Sequence, residues 1–330
     1  MIKKILWLAG SLIALCIAAT FVFSWILSNR EVLAFSQGLP DHGHLIDTSA
    51  GAFFVVEKGA PDAPRVLLAH GTAAWSDIWT EAQQAVAPEG YLMTAFDMPP
   101  FGWSEHPKIP AYDRPAQATR MIALLEALGD KPILVAHSVG AGPATEAVML
   151  RPDLVAGYVI VSGALALEDR DAPKEVPFPL QNDSVRKLAT AATATNPLLT
   201  QRFLKSFMHR TEMIDAEMVA SLQKPMARQG YTQAVSDWIP QLFETPTDAL
   251  SMDPEEWRDF DPPVALIWGD KDTVTPLNQG QELAALLPNA QLIVLHDVGH
   301  IPHLEAPREF ANALMIAFEQ MTSNKDRDTP

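Results

Sequence analysis

Seven short apolar runs, at 53–57, 65–69, 91–96, 132–136, 157–162, 264–268 and 291–295, alternate along this chain with segments of helical period. Several of the runs carry Val, Ile and Leu at consecutive rather than alternate positions, as strands covered on both faces do. Between them, 77–87, 114–128, 139–151, 276–287 and 305–321 space their apolar residues three and four apart, and many end near Gly or Pro. A chain of this pattern buries both sets of surfaces in a mostly parallel central sheet flanked by helices, an α/β fold.

The alternation breaks once. From 165 to 262 no convincing strand is found; a Pro-rich, charged opening precedes helical patches at 184–194, 197–209, 215–222 and 231–243. With Phe203, Phe207, Trp238, Phe243 and Trp257, the segment is too apolar for a structureless loop. It is expected to be a helical lid inserted into a core formed by 31–164 and 263–322, with those aromatics holding the lid's own small core and 323–330 as a solvated tail.

The N-terminus obeys another rule. Lys3 and Lys4 precede an uncharged apolar run at 5–27, which at ~1.5 Å per residue is long enough for a ~30 Å hydrocarbon layer. Residues 1–30 are therefore expected to hold a transmembrane helix. The positive-inside tendency puts Lys3 and Lys4 in the cytoplasm and the bulk of the chain on the other side, in a periplasm or lumen. The alternative is a cleaved signal and a secreted or periplasmic protein, but Ala18-Ala19-Thr20 is a poor cleavage site and the apolar run continues beyond it. The stretch 30–41 is expected to be a tether.

Composition removes other classes. Cys16, the single cysteine, lies in the apolar run, so disulfides take no part in the stability of the remainder. A formal net charge of −16 with no basic stripe argues against nucleic acid as a partner. Neither Asp41-His42-Gly43-His44 nor His300-Ile301-Pro302-His303 has an established zinc spacing, and no metal or other cofactor is expected. Asn182-Asp183-Ser184 matches a glycosylation sequon.

Chemistry concentrates at "ILVAHSVGAGPA", 133–144. Ser138 follows an apolar run and precedes small residues that let a strand turn sharply into a helix, the setting of a nucleophilic serine. Ser138 as a mere helix N-cap explains the local residues equally well. What separates the two readings lies elsewhere in the chain. The run 264–268 leads into Gly269-Asp270-Lys271-Asp272, which offers two carboxylates at the C-terminal end of a parallel strand, where open α/β sheets bind ligands. The run 291–295 leads into His296-Asp297-Val298-Gly299-His300, with His300 on the loop as a base and His296 close enough to the strand to be packed. After 65–69, His70-Gly71-Thr72 offers a backbone donor from Thr72, to pair with the N–H of Val139, while His70 is expected to be a hydrogen-bonded scaffold residue. Serine, acid, histidine is the order expected for acyl transfer on a sheet of this kind.

With HG at 70–71, DMPPFGWS at 97–104, AHSVG at 136–140, WGDKD at 268–272 and VGHIPHLEAP at 298–307, the chain resembles the lid-bearing branch of the α/β-hydrolase superfamily from about 45 to 318. The resemblance implies Ser138 as nucleophile, Asp272 rather than Asp270 as acid, and His300 as base. The chain departs from the family's G-x-S-x-G at Ala136 and from its D-x-P-G-x-G-x-S at Pro100.

A serine disfavours epoxide opening and dehalogenation, which use an aspartate nucleophile in this fold. The expected activity is hydrolysis of an ester, with a lipophilic substrate, through an acyl-serine intermediate. The alternatives are a carbon-carbon bond hydrolase of ring-cleavage products, which would need a cation such as Arg202, Lys205 or Arg210 gripping an acidic substrate, a cofactor-free haloperoxidase or perhydrolase, and a catalytically silent, membrane-tethered binding protein.

Overall fold

The computed structural model describes Trp7, Val22 and residues 29–35, 37–169, 171–287 and 290–325. The expected anchor at 5–27, apart from Trp7 and Val22, lies outside the described residues, as does 326–330 of the tail. Among the described residues no helix is long and apolar enough to cross a membrane.

Eight strands form one sheet: β1 (His44–Thr48), β2 (Gly51–Lys58), β3 (Arg65–Ala69), β4 (Leu92–Phe96), β5 (Ile133–His137), β6 (Gly157–Val161), β7 (Val264–Gly269) and β8 (Gln291–Leu295). Their order is β1-β2-β4-β3-β5-β6-β7-β8. β2 pairs antiparallel with both β1 and β4, and every other pairing is parallel. Seven strands fall where the apolar runs predict. β1, HLIDT, carries no such run because it is an edge strand with no fully buried residue, joined to β2 by a hairpin whose Gly51 has φ +110°.

The helices are α1 (Thr80–Val86), α2 (Arg114–Leu128), α3 (Ala141–Leu150), six in the insertion between β6 and β7, namely α4 (Phe178–Gln181), α5 (Asp183–Ala192), α6 (Thr200–Phe207), α7 (Ala216–Gln223), α8 (Tyr231–Trp238) and α9 (Pro254–Arg258), and then α10 (Leu277–Leu286), α11 (Pro302–Glu305) and α12 (Pro307–Lys325). Strand periodicity divides the core. Val66, Leu68, Val135 and Val159 pack on one side with Val86 of α1 and Phe310 and Phe318 of α12; Leu67, Leu134, Ile160 and Leu266 pack on the other with Leu124 of α2, Ala144 of α3 and Leu283 of α10. Local chemistry sets the ends of α2, where Asp113 accepts the Ala116 N–H at 2.8 Å and Gly129, at φ +70°, stops the helix.

The insertion does not hold an aromatic core of its own. Trp238 packs with Tyr231 against Phe101 and Tyr112 of the segments after β4, Trp257 is buried in the main core with Phe260, which in turn meets Tyr158, and Phe207 and Phe243 face a cavity. Polar bonds to backbone carbonyls fix the insertion further: the buried Arg228 donates to the Gly102 and Ser104 carbonyls. Asn182 of the sequon caps α5, accepting the Val185 N–H at 3.1 Å.

The reading of 30–41 as a tether is corrected. Arg30 donates to the Thr195 carbonyl and to Thr232 Oγ1, Glu31 accepts the Thr232 N–H at 3.0 Å, and the Leu33 backbone donates to Ala227 at 3.0 Å and accepts from Gln229 at 2.8 Å. The beginning of this stretch is strapped to the insertion by two side chains and the backbone of Leu33.

Candidate active site

β5 ends at His137, and the chain reverses at Ser138, whose φ is +54°. A left-handed residue other than glycine or asparagine is strained by roughly 1–2 kcal/mol, so neighbours must impose it. Two glycines let them come close. A Cβ on Gly71 would lie 2.9 Å from Ser138 Cβ, and one on Gly140 would collide with the His70 carbonyl. The loop after β3 is thereby pressed against the elbow. Ala136, where the family pattern has glycine, sits in β5 opposite Ala69 and Ile160 with its methyl group in the core, so the sharp turn begins beyond it.

The structure brings Ser138, His300 and Asp272 together. Ser138 Oγ lies 2.8 Å from His300 Nε2, and His300 Nδ1 lies 2.9 Å from Asp272 Oδ2. All three residues are buried. The carboxylate dictates the tautomer: Nδ1–H donates to Asp272, which leaves Nε2 to accept the serine proton. Burial would raise the Asp272 pKa, but bonds from His300 and from the Thr275 and Val274 N–H groups hold it below the ordinary value. Asp270 is elsewhere, accepting the Asp297 N–H and pairing with Lys271 and His296 near the surface. His296, expected to be packed, has a side chain 86 % exposed.

Thr72 and Val139 line the same cavity as Ser138. The Val139 N–H lies in the first turn of a short helix, where N–H groups have no partner within the helix. Both residues thus lie on the wall of the cavity into which Ser138 opens. His70 is a scaffold residue: Nδ1–H donates to the Gly71 carbonyl at 2.8 Å and Nε2 accepts the Met98 N–H at 2.9 Å, while burial lowers its pKa to about 4. His137 Nε2–H donates to the His300 carbonyl at 2.8 Å, and burial lowers its pKa to about 3. His303 stacks on Trp79 with ring centroids 4.1 Å apart. Among the described residues no group of three or more His, Cys, Asp or Glu could hold a metal ion.

Three residues emerge only in three dimensions. Thr275 Oγ1 is 2.9 Å from Asp272 Oδ2 and 3.2 Å from His300 Nδ1, which fixes the acid's orientation. Glu305, buried in α11, accepts the N–H groups of Gly299 and Ile301, on either side of His300, and those of His209 and Arg210 in the insertion. Asp97 accepts the N–H groups of Ser76 and Trp103 at 2.6 Å each and so organises the DMPPFGWS loop, in which Pro99-Pro100 is cis and Gly102 has φ +65°. A Cβ at Gly102 would strike the Asp97 carboxylate, so the loop closes on Asp97 only with glycine at 102. Thr275 lies three residues beyond the WGDKD segment, and the only sequence signal for Glu305 was its place in VGHIPHLEAP.

The cavity over Ser138 encloses about 350 Å³. Apolar side chains from the core (Met98, Phe101, Val274) and from the insertion (Phe207, Trp238, Phe243) line it. Its cations are Arg114, which donates to Ser251 Oγ and the Leu165 carbonyl, and Lys174, paired with Asp169 at 2.6 Å. Arg202, Lys205 and Arg210 do not reach it; Arg210 instead pairs with Glu309 and donates to the Asp297 carbonyl.

The chain can now be set beside known proteins. It is 26% identical over 242 residues to the 2-hydroxymuconate semialdehyde hydrolase of Pseudomonas putida, covering 73% of this chain and 78% of that one. It is 26% identical over 253 residues to Lipase 3 of Moraxella sp. strain TA144, covering 75% of each. Among solved structures, a bacterial membrane phospholipase A superposes with a TM-score of 0.66 at 22% identity, over 96% of this chain and 98% of that one, a likeness of fold. The family model for the alpha/beta hydrolase fold matches residues 64–307, across the elbow, the insertion and the histidine loop alike. By that match and by its sheet, the chain belongs to the α/β-hydrolase fold family.

Proposed function

We propose that this protein is a serine hydrolase that cleaves esters of lipophilic acids or alcohols through an acyl-enzyme on Ser138. The observation that carries the reading is the hydrogen-bonded relay from Ser138 Oγ through His300 to Asp272, at 2.8 and 2.9 Å, opening into an apolar cavity. Ser138 attacks the acyl carbon as His300 takes its proton. Asp272 stabilises the imidazolium, and the Thr72 and Val139 N–H groups hold the oxyanion. His300 then gives the proton to the leaving alcohol, and water repeats the sequence on the acyl-enzyme. The relative named as a lipase supports an ester substrate.

The relative named as a semialdehyde hydrolase supports a second reading, carbon-carbon bond cleavage. That reaction calls for a cation facing an acidic substrate, whereas Arg114 and Lys174 already hold protein partners and the cations of α6 point away from the cavity. The ester reading fits the apolar lining better. The proposal also keeps 5–27 as a membrane anchor, with the catalytic part on the non-cytoplasmic side.

Nitrophenyl esters of rising chain length, assayed on wild type and Ser138→Ala, test this function. The expected result is a rate that rises beyond short chains and a mutant without turnover. Full activity in Ser138→Ala would overturn the mechanism, and preference for a ring-fission dienoate over every ester would replace it with the second reading.

A further inference from the structure

The insertion has a surface that the chemistry does not use. Between Asp183 and Glu212 the chain has no acidic residue and five cations, Arg186, Lys187, Arg202, Lys205 and Arg210, in a protein with 40 acidic residues and a net charge of −16. Arg186 is buried and Arg210 pairs with Glu309, which leaves Lys187, Arg202 and Lys205 exposed. In the same stretch of chain Leu198 is 87% exposed, Val185 46% and Phe203 37%. In α6 Leu204 is buried and Phe207 reaches the cavity, Arg202 and Lys205 face outward, and Phe203, one turn before Phe207, stands at the boundary between the two faces. Exposed apolar groups together with basic ones, in a stretch without acidic residues, are the chemistry of a surface that meets anionic lipid, where apolar groups enter the acyl boundary and basic ones reach the phosphates.

The strap at the N-terminus says where the bilayer would be. Arg30 is bonded to Thr195, three residues before Leu198, and to Thr232. Leu27, the last residue of the apolar run, is three residues before Arg30, a reach of at most ~11 Å of extended chain. An anchor that ends there leaves this part of the insertion no room to stand off from the membrane.

We infer that the surface formed by Val185, Lys187, Leu198 and the outer face of α6 docks on the lipid bilayer that the N-terminal run enters, which presents the substrate cavity to membrane-borne esters. α6 then runs from the lipid to the cavity, from Leu198 just ahead of it to Phe207 at its end. The inference rests on 5–27 being a membrane span, and it does not depend on the activity of Ser138.

The test uses the full chain with Cys16→Ser, carrying an environment-sensitive fluorophore at Leu198→Cys, Phe203→Cys or, as a control, Leu150→Cys. Leu150 ends the helix that leads away from the elbow and is 48% exposed. Each variant is reconstituted in vesicles of three parts phosphatidylcholine to one part phosphatidylglycerol, with or without lipid spin-labelled near the headgroup. Severalfold stronger quenching at 198 and 203 than at 150 is the expected result. Equal quenching at all three positions in protein that floats with the vesicles overturns the docking alone, as does energy transfer between copies without lipid quenching, the mark of a second copy on this face. Protein that fails to float overturns the anchor and the docking together. None of these outcomes bears on the ester reading, which Ser138→Ala decides. In the activity arm, Arg202→Glu combined with Lys205→Glu lowers turnover of a vesicle-borne ester severalfold and leaves a soluble short-chain ester unchanged; an equal loss on both would count against docking.

Discussion

The C-terminal edge of the sheet and the helical insertion meet over one cavity, yet they are built differently. At the sheet edge, positions follow from backbone geometry: Ser138 at positive φ, Gly71 and Gly140 admitting a close approach, and Asp272 and His300 on loops that leave paired strands β7 and β8. The insertion is placed by side chains that bond to backbone groups across a gap, with Arg228 on Gly102 and Ser104, Arg30 on Thr195, and Glu305 on His209 and Arg210. The insertion sets the wall of a pocket and meets the sheet edge where the His300 N–H donates to the Phe207 carbonyl at 3.1 Å. Under the proposed function, the relay lies at the sheet edge and the insertion supplies much of the wall a substrate would meet.

The largest effect is expected where that division is most strict. Asp272→Asn keeps the side chain's shape but favours the wrong imidazole tautomer, and kcat should fall ~10⁴-fold with KM little changed. A loss confined to KM would break the division. Next comes Gly140→Ala, whose methyl group meets the His70 carbonyl and pushes the loop bearing Thr72 off the elbow. Steady-state kinetics should show a kcat loss of ~10²–10³, the scale of one lost oxyanion donor, while circular dichroism stays native.

Acid should weaken the sheet edge through its buried histidines. The pKa of His70 is lowered to about 4 and that of His137 to about 3, against an ordinary 6.5. Unfolded chains bind protons there that folded ones refuse, so their contribution to stability is complete above pH 6.5 and is lost as pH falls toward 4. By pH 5 each ring should cost on the order of 2 kcal/mol. Urea midpoints measured from pH 7.5 to 5 should show the decline, and His70→Gln should flatten it; a wild-type midpoint independent of pH would contradict the assignment. The smallest effect is expected in the insertion. Trp238→Ala enlarges the cavity from that side, and should raise KM for long-chain esters ~10-fold with kcat for the shortest ester unchanged, in keeping with about 1–3 kcal/mol for apolar pocket contacts.

Much of the sheet edge was legible because its signals are local and repeated. Apolar runs located seven strands, and the order of Ser138, Asp272 and His300 along the chain follows from strands that each end at the same edge. Asp272 and Asp270 were different. Both follow β7 within three residues, and family resemblance chose between them; in the fold, Asp272 is turned inward to Thr275 and His300 while Asp270 turns out to Lys271 and His296. β1 escaped notice because an edge strand paired on one side needs no apolar run. The insertion was legible as helix but misread in its contacts. Trp238, Trp257 and Phe207 have the same amphipathic signature, yet they go to a shared cluster, the main core and the cavity respectively.

By itself, then, the sequence determined the α/β architecture, the place of the insertion and the residues able to form the relay, since hydrophobic periodicity and glycine placement act over a few residues and leave a local mark. The tertiary structure decided which carboxylate faces the histidine, that Glu305 braces the histidine loop, and that the stretch after the apolar run is strapped to the insertion. Those outcomes depend on hydrogen bonds between groups as far apart as Arg30 and Thr232, 202 positions along the chain. A donor and an acceptor that distant have no pattern in common until folding brings them within 3 Å.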